Sequence, residues 1–364
     1  MTESDGVTLT KGKDGVAGTY DDGQPTNITE WDLMLGKMVD EGAYPFIWTG
    51  MYASDYFNTL PEALLAQYDG LENYMVAATY EGVYTHANGT QETITPATGY
   101  KTIQTLAKKV VLEFIYKYLV QNADYYHPAA KLNSVSHTDA QNYFILGYKK
   151  TASNPQSGML YDGVWWENEA RAAFKSLEKR GEKAYAYGTR DYRYMLFPNM
   201  EGQRGANGDG TGSVIGVSEN GSIYLKKQSD ETKRTYAKEF IKYLVSDEVS
   251  RLFTKYTSGL RPYTYELTSE DKSAMTKFGI NAYELYSDTA NVKALRYQPT
   301  IRLSEMNWLT TKVVARWGTK IQGVDYTRSY LGLMNGTADE YYQGMSAYAN
   351  QTYWNEIYEK YLEL

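Results

Sequence analysis

Met159-Leu-Tyr-Asp-Gly-Val-Trp-Trp-Glu-Asn-Glu-Ala170 is the stretch on which the reading of this chain turns. A short apolar run passes through Asp162-Gly163 and becomes a helix start with Trp165 and Trp166 on its first turn. A strand that feeds a helix through a glycine turn belongs to an α/β fold. It sets the side chains of the turn at the sheet rim, where open α/β folds bind ligands. Large rings at that rim offer a stacking surface for a flat apolar ligand face, such as that of a sugar ring. For a single tryptophan, core filling is the simpler reading. Two adjacent helical residues cannot share one face, so at least one of the pair lies off the core and is the ligand candidate.

The chain has 364 residues, enough for two lobes or one elaborated domain. With 42% hydrophobic and 22% charged residues it has the composition of a soluble globular protein. Its 37 Tyr and 7 Trp supply much amphipathic ring surface, which favours polar, ring-shaped or peptidic ligands. The net charge is -7, and no Lys/Arg run is dense enough to track phosphates, which argues against nucleic acid. No apolar run approaches the roughly 20 residues that span a bilayer, and the opening residues lack a signal peptide's apolar segment. With no cysteine, disulfides, thiol catalysis and cysteine metal sites are excluded.

Residues 1–25, rich in Gly, Asp and Thr, read as irregular. Within them Asp14, Asp21 and Asp22 stand among glycines as oxygen ligands that Ca2+ would accept. The alternating spacing and terminal bidentate Glu of an EF-hand are missing, so a plain turn is preferred there. Ile28, Trp31, Leu35 and Met38 then fall at helical spacing, with Thr26 or Thr29 as cap and Gly42 as stop. Pro45-Phe-Ile-Trp-Thr-Gly-Met-Tyr52 reads as a strand broken at Gly50, and puts Trp48 and Tyr52 at a second aromatic strand end.

Helices are predicted around 61–68 and over about 100–122, and a strand over 192–197. Gly202-Gln-Arg-Gly-Ala-Asn-Gly-Asp-Gly-Thr-Gly212 precedes a strand at 213–218, not a helix, and no Gly-Lys-Ser/Thr follows. It is therefore a cleft-lining or plain loop and no phosphate cradle. The later chain reads as mostly helical. Ser229 caps a helix with Tyr236, Phe240 and Tyr243 or Leu244 along one face, and Ser246 caps another. Thr268 with Asp271 and Thr337 with Glu340 resemble capping boxes, and Trp308 and Trp317 lie in a further helical run.

No catalytic constellation emerges. His86, His127 and His137 lack metal-ligand spacing and read as surface or hydrogen-bonded residues. There is no Gly-x-Ser-x-Gly elbow. Glu167 and Glu169, two apart on a helix, point to different sides and cannot converge on one bond.

Several segments together resemble the substrate-binding proteins of ABC importers, in the family 1 carbohydrate-binding group that includes the maltose-binding proteins. The matching pieces, in the family's order, are Pro25-Thr-Asn-Ile-Thr-Glu-Trp-Asp32, Pro45–Gly50 and Met159–Trp165. Leu196–Gly212, Tyr236-Ala-Lys-Glu-Phe-Ile-Lys-Tyr-Leu-Val-Ser-Asp247, Gly259–Pro262 and Gly336–Glu340 follow. The resemblance implies a periplasmic-binding-protein-like (type II) two-lobe α/β fold. Residues 1–25 would be an irregular lead-in, 26–260 the C-terminal lobe, 261–307 a crossover belonging to the N-lobe, and 308–364 helices packing back on the C-lobe. Family members begin with a complete N-terminal lobe, whereas here the corresponding helix starts near residue 26. The resemblance thus implies a truncated chain with a partial N-lobe and apolar surface exposed along the crossover. Extra length relative to a minimal C-lobe falls around 53–100 and 123–155.

Carried over residue by residue, the family's stacking tryptophan falls on Trp165, its aromatic strand end on Trp48 with Tyr52, and a late aromatic on Trp308. Gly210 and Gly212 match a loop that borders the cleft, while Asp162, Trp166, Glu169 and Arg261 are added on position alone. The implied function is the substrate-binding component of an ABC importer, not an enzyme. It would capture a sugar or oligosaccharide between lobes, with membrane permease subunits as partners and no cofactor beyond the Ca2+ alternative. The full-length bacterial protein would be extracellular, as a membrane-anchored lipoprotein, or periplasmic, its signal and anchor absent from this chain. Two alternatives stand beside it. One is a secreted glycoside hydrolase, which needs two carboxylates about 5–9 Å apart. The other is a non-catalytic module that binds peptide or protein.

Overall fold

The structure, a computed structural model, describes residues 1–57, 59–147, 155–217, 223–296, 319–321, 324–326 and 336–363. Its strands are β1 (Tyr44–Ile47), β2 (Gly82–Thr85), β3 (Gln91–Ile94), β4 (Ser157–Leu160), β5 (Ser213–Val217), β6 (Val292–Arg296), β7 (Thr319–Ile321) and β8 (Val324–Tyr326). Among the described residues they form four separate two-stranded ladders: β1–β4 and β5–β6 parallel, β2–β3 and β7–β8 antiparallel. The architecture is mixed α/β, and helices supply most of the enclosing surface.

The pairing that positions the candidate site is β1 with β4. Phe46 lies opposite Met159 and Ile47 opposite Leu160. Beyond the strand, Tyr161 N–H still donates to the Ile47 carbonyl at 2.9 Å. Because the strands are parallel, both leave the ladder at the same end, so Trp48-Thr49 and Asp162-Gly163 emerge side by side. The two aromatic strand ends picked out in the sequence are thus neighbours in space.

The larger core is built around Trp31, which is 1% exposed. Its ring stands 6.0 to 6.5 Å from those of Phe46, Phe114, Tyr118 and Phe197. One side chain therefore ties the Ile28–Asp40 helix to β1, to the helix Leu106–Ile115 with its π-helical continuation Tyr116–Gln121, and to the extended segment near 197. The C-terminal helices close the same core. Trp354, on the helix Gln351–Leu362, donates its Nε1–H to the Pro96 carbonyl at 2.7 Å and packs on Tyr80 with ring centroids 5.0 Å apart. A smaller core of Ile145, Trp166, Ala170, Phe174, Leu177 and Phe278 joins the helices His137–Leu146, Arg171–Lys179 and Lys277–Ser287.

Several local expectations change. The segment 192–197 pairs with no strand among the described residues. The Gln24 side chain takes the partner's place, donating from Nε2 to the Tyr194 carbonyl at 2.7 Å and accepting Leu196 N–H on Oε1 at 3.0 Å. Asn27, not Thr26 or Thr29, caps the first helix, and Asp230, not Ser229, caps Glu231–Leu244. An aspartate there also meets the positive end of the helix dipole. The caps at Ser246, Thr268 and Thr337 form where the sequence places them. Trp308 and Trp317 lie outside the described residues. Exposed apolar rings gather on Glu231–Leu244, where Tyr236, Phe240 and Tyr243 face outward and no residue is buried.

Trp31→Ala should lower the unfolding free energy by about 3–5 kcal/mol, because one ring joins four elements. Ser246→Ala should cost only about 1 kcal/mol. Urea denaturation midpoints check both.

Candidate functional site

The site grows from the ends of β1 and β4. Asp162 follows β4 and accepts the amide hydrogen of Gly163 on Oδ1 at 2.6 Å, which fixes its carboxylate against its own turn. Its Oδ2 accepts from Gln141 Nε2 at 2.9 Å, and the same nitrogen donates to Glu169 Oε2 at 3.1 Å. Gln141 comes from the His137–Leu146 helix and is 1% exposed. One buried amide thus holds two carboxylates from different turns of chain. His137 stands at the outer edge, its Nε2 4.0 Å from Glu169 Oε2 and its ring 5.8 Å from that of Tyr52.

Two rings open onto solvent beside the carboxylates: Trp165, 42% exposed, and Tyr52, 39% exposed. The inner face of the Trp165 indole rests on Gly163, where a Cβ would overlap the ring. The Trp165 side chain also hydrogen-bonds the Tyr56 hydroxyl. The ring is held by a turn and a tyrosine, and its other side stays free.

Burial pushes the Asp162 carboxyl up to about 6, outweighing the hydrogen bonds from Gln141 and Gly163, and the charge of Glu169 adds to the rise. Burial first, then the charges of Asp162 and Glu169, hold the Tyr56 phenol above its ordinary range. Tyr194, enclosed and near Asp162, is pushed up to about 12. Among the described residues no lysine or arginine forms an ion pair with Asp162 or Glu169. The site is a partly buried pair of carboxylates with exposed rings nearby.

The structure brings together Tyr52, Asp162, Trp165 and Glu169 and sends the other candidates elsewhere. Trp48 is fully buried, 5.3 Å from Phe57 in an edge-on contact and 5.5 Å from Tyr126, and Phe57 in turn stacks on Tyr161 at 4.2 Å. With both faces committed to the core, Trp48 supports the floor of the site instead of offering a ring to a ligand. Trp166 is also buried, against Phe144, Phe174, Tyr192 and Phe278. The adjacent tryptophans divide as their geometry requires, one inward and one outward.

Gly210 and Gly212 belong to a loop fastened elsewhere: Gly210 N–H donates to the Arg204 carbonyl at 2.6 Å, and Asn207 Nδ2 to the Ala290 carbonyl at 3.2 Å. No hydrogen bond or ring contact joins that loop to the Trp165 cluster among the described residues. Arg261 bonds the Leu244 carbonyl at 3.0 Å and lies over Phe253 and Tyr263, so it joins helix ends and not the site. Trp308 lies outside the described residues. Asp14, Asp21 and Asp22 turn their carboxylates to amides of their own loop: Asp21 accepts from Lys13 and Asp14, Asp22 from Gly18, and Asp14 from Val16. Among the described residues no group of three or more His, Cys, Asp or Glu could hold a metal ion. The turn reading describes this loop.

Gln141, His137 and Tyr56 are the members that sequence reasoning missed. Periodicity gives no signal for a buried glutamine whose partners lie 21 and 28 residues away. Glu167 and Glu169 do diverge. Glu167 is buried and accepts from Thr276 Oγ1 at 2.6 Å, which leaves Asp162 as the carboxylate facing Glu169.

No family model and no curated protein matches this chain. Among solved structures, one described as a chitin oligosaccharide binding protein is similar at 16% identity and a TM-score of 0.45. The match covers 92% of this chain and 65% of that one, so the present chain spans less than two thirds of its neighbour's length.

Gly163→Ala should dislodge the indole and change the acrylamide quenching of tryptophan emission, and Trp165→Phe should remove that quenchable component. A second expectation concerns pH. Asp162 binds its proton more tightly folded than unfolded, so its contribution to stability falls as pH rises from about 4 to about 6 and stays lost above. Asp162→Asn should flatten the fall in the urea midpoint over that window.

Proposed function

We propose that this chain is a non-catalytic capture protein for a sugar or short oligosaccharide. The observation that carries the reading is the Trp165 indole, backed by Gly163 and open on its outer side, next to the paired carboxylates of Asp162 and Glu169. A pyranose ring presents a flat C–H face that stacks on such an indole, and hydroxyls around its edge that carboxylates accept from. Tyr52 widens the ring surface on the other flank. The further role, delivery to a membrane permease by an extracellular or periplasmic ABC-importer component with a second lobe closing over the ligand, is supported by the ordered segments that resemble that family.

Glycoside hydrolysis is the second reading, and one observation speaks for it. Two carboxylate oxygens that share a nitrogen stand within about 6 Å of each other, and the raised proton affinity of Asp162 suits a general acid. The Gln141 amide fills the space between them, however, where the scissile bond would need to lie.

Isothermal titration against mono- and oligosaccharides, both neutral and amine-bearing, and peptides tests the capture reading, with product analysis of the same mixtures for turnover. Trp165→Ala should weaken sugar binding about two- to tenfold, from the roughly 0.5–1.5 kcal/mol that a stacked ring contributes. Absence of heat with every sugar, or cleavage of any of them, overturns it.

A further inference from the structure

The hydrogen-bonding inventory of the site is lopsided. Asp162 and Glu169 bring carboxylates, and Gln141 adds a third acceptor. Its Oε1 is sealed from solvent without a hydrogen-bond partner, on the same amide whose nitrogen already serves both acids. A buried acceptor left unpaired costs about 1–3 kcal/mol. Against these acceptors, the donors at the edge are His137 and the tyrosine hydroxyls. Among the described residues no lysine or arginine ion pair neutralises the acids. The outer carboxylate is reachable, with 38% of the Glu169 side chain exposed, and the exposed rings of Trp165 and Tyr52 flank it.

Resting on the carbohydrate reading above, we propose that the sugar unit held here bears a free, protonated amine, so that the ligand class is an amino-sugar oligosaccharide. An ammonium group brings three donors and a positive charge to a pair of acids that offers acceptors and negative charge, whereas a hydroxyl brings one donor and no charge. The π faces of Trp165 and Tyr52 attract the same cation. A neutral sugar would leave Glu169 with His137 as its one cationic neighbour among the described residues. N-acetylation of the amine would remove the charge and two of its three donors.

The test compares three oligosaccharides of one length by isothermal titration: a glucosamine oligomer, its N-acetylated form and a neutral glucose oligomer. At about pH 6, below the usual range of an amine, the glucosamine oligomer is expected to bind about tenfold more tightly than either other sugar. Glu169→Gln should bring that ratio close to one. On the wild-type protein, a tenfold rise in salt should weaken the amine ligand and leave the order of the neutral ones unchanged, which serves if the variant does not fold. Equal or tighter binding of an uncharged sugar overturns the amine inference and leaves sugar capture standing. Failure of all three to bind sinks sugar capture itself.

Discussion

The parallel register of β1 with β4 is the constraint from which the site follows. Once Ile47 lies opposite Leu160, the chain leaves both strands at one edge, and the next residues must share that edge. Trp48 then has only the interior to enter, where Phe57 and Tyr126 receive it. Asp162, bound to its own turn, faces the rim. A slip of one residue in either strand would exchange its inward and outward sides, turning Trp48 out of the core or Asp162 into it. The narrow ladder is sufficient because helices reinforce it. His127 N–H donates to the Phe46 carbonyl at 2.8 Å on the far edge, and Trp31 packs above.

The electrostatics of Asp162 follow from burial more than from neighbours. Two carboxylates near one another are costly, and here the compensation comes from a neutral amide. Gln141 cannot cancel charge. It can only orient both acids so that each presents a lone pair to the same hydrogens. The outcome is an anionic spot whose geometry is fixed but whose charge is left to solvent, to His137 and to whatever docks there. Structural ion pairs elsewhere in the chain differ. Asp271, for instance, is held below the usual carboxylate range against the upward push of burial, first by hydrogen bonds from Thr268 and then by Lys255 at 3.5 Å.

How far the site could be read from sequence depended on the range of the interaction involved. Short-range rules performed well. The capping pairs Thr268–Asp271 and Thr337–Glu340 formed, and the Trp165–Trp166 dipeptide split because a helix gives adjacent residues different faces. Longer-range rules did less. The run at 192–197 has the pattern of a strand, yet its partner is the side chain of Gln24, a residue no pattern links to it. Trp48 resembled Trp165 in every local respect, an aromatic residue just past a strand. What separates them is whether Phe57 and Tyr126 arrive to cover the ring, and that depends on chain folding back from distant positions. The bridging glutamine escaped for a similar reason.

The perch of the Trp165 ring on Gly163 has a consequence for how such a protein can change over time. Since the ring leans on a residue with no side chain and on one phenol, its identity is uncoupled from the interior that Trp166 helps to fill. Exchange of the outer ring leaves the interior packing in place, while exchange of the inner one disturbs it. Two neighbouring codons for the same amino acid would thus drift under different rules, one bound by the packing of the interior and the other free of it.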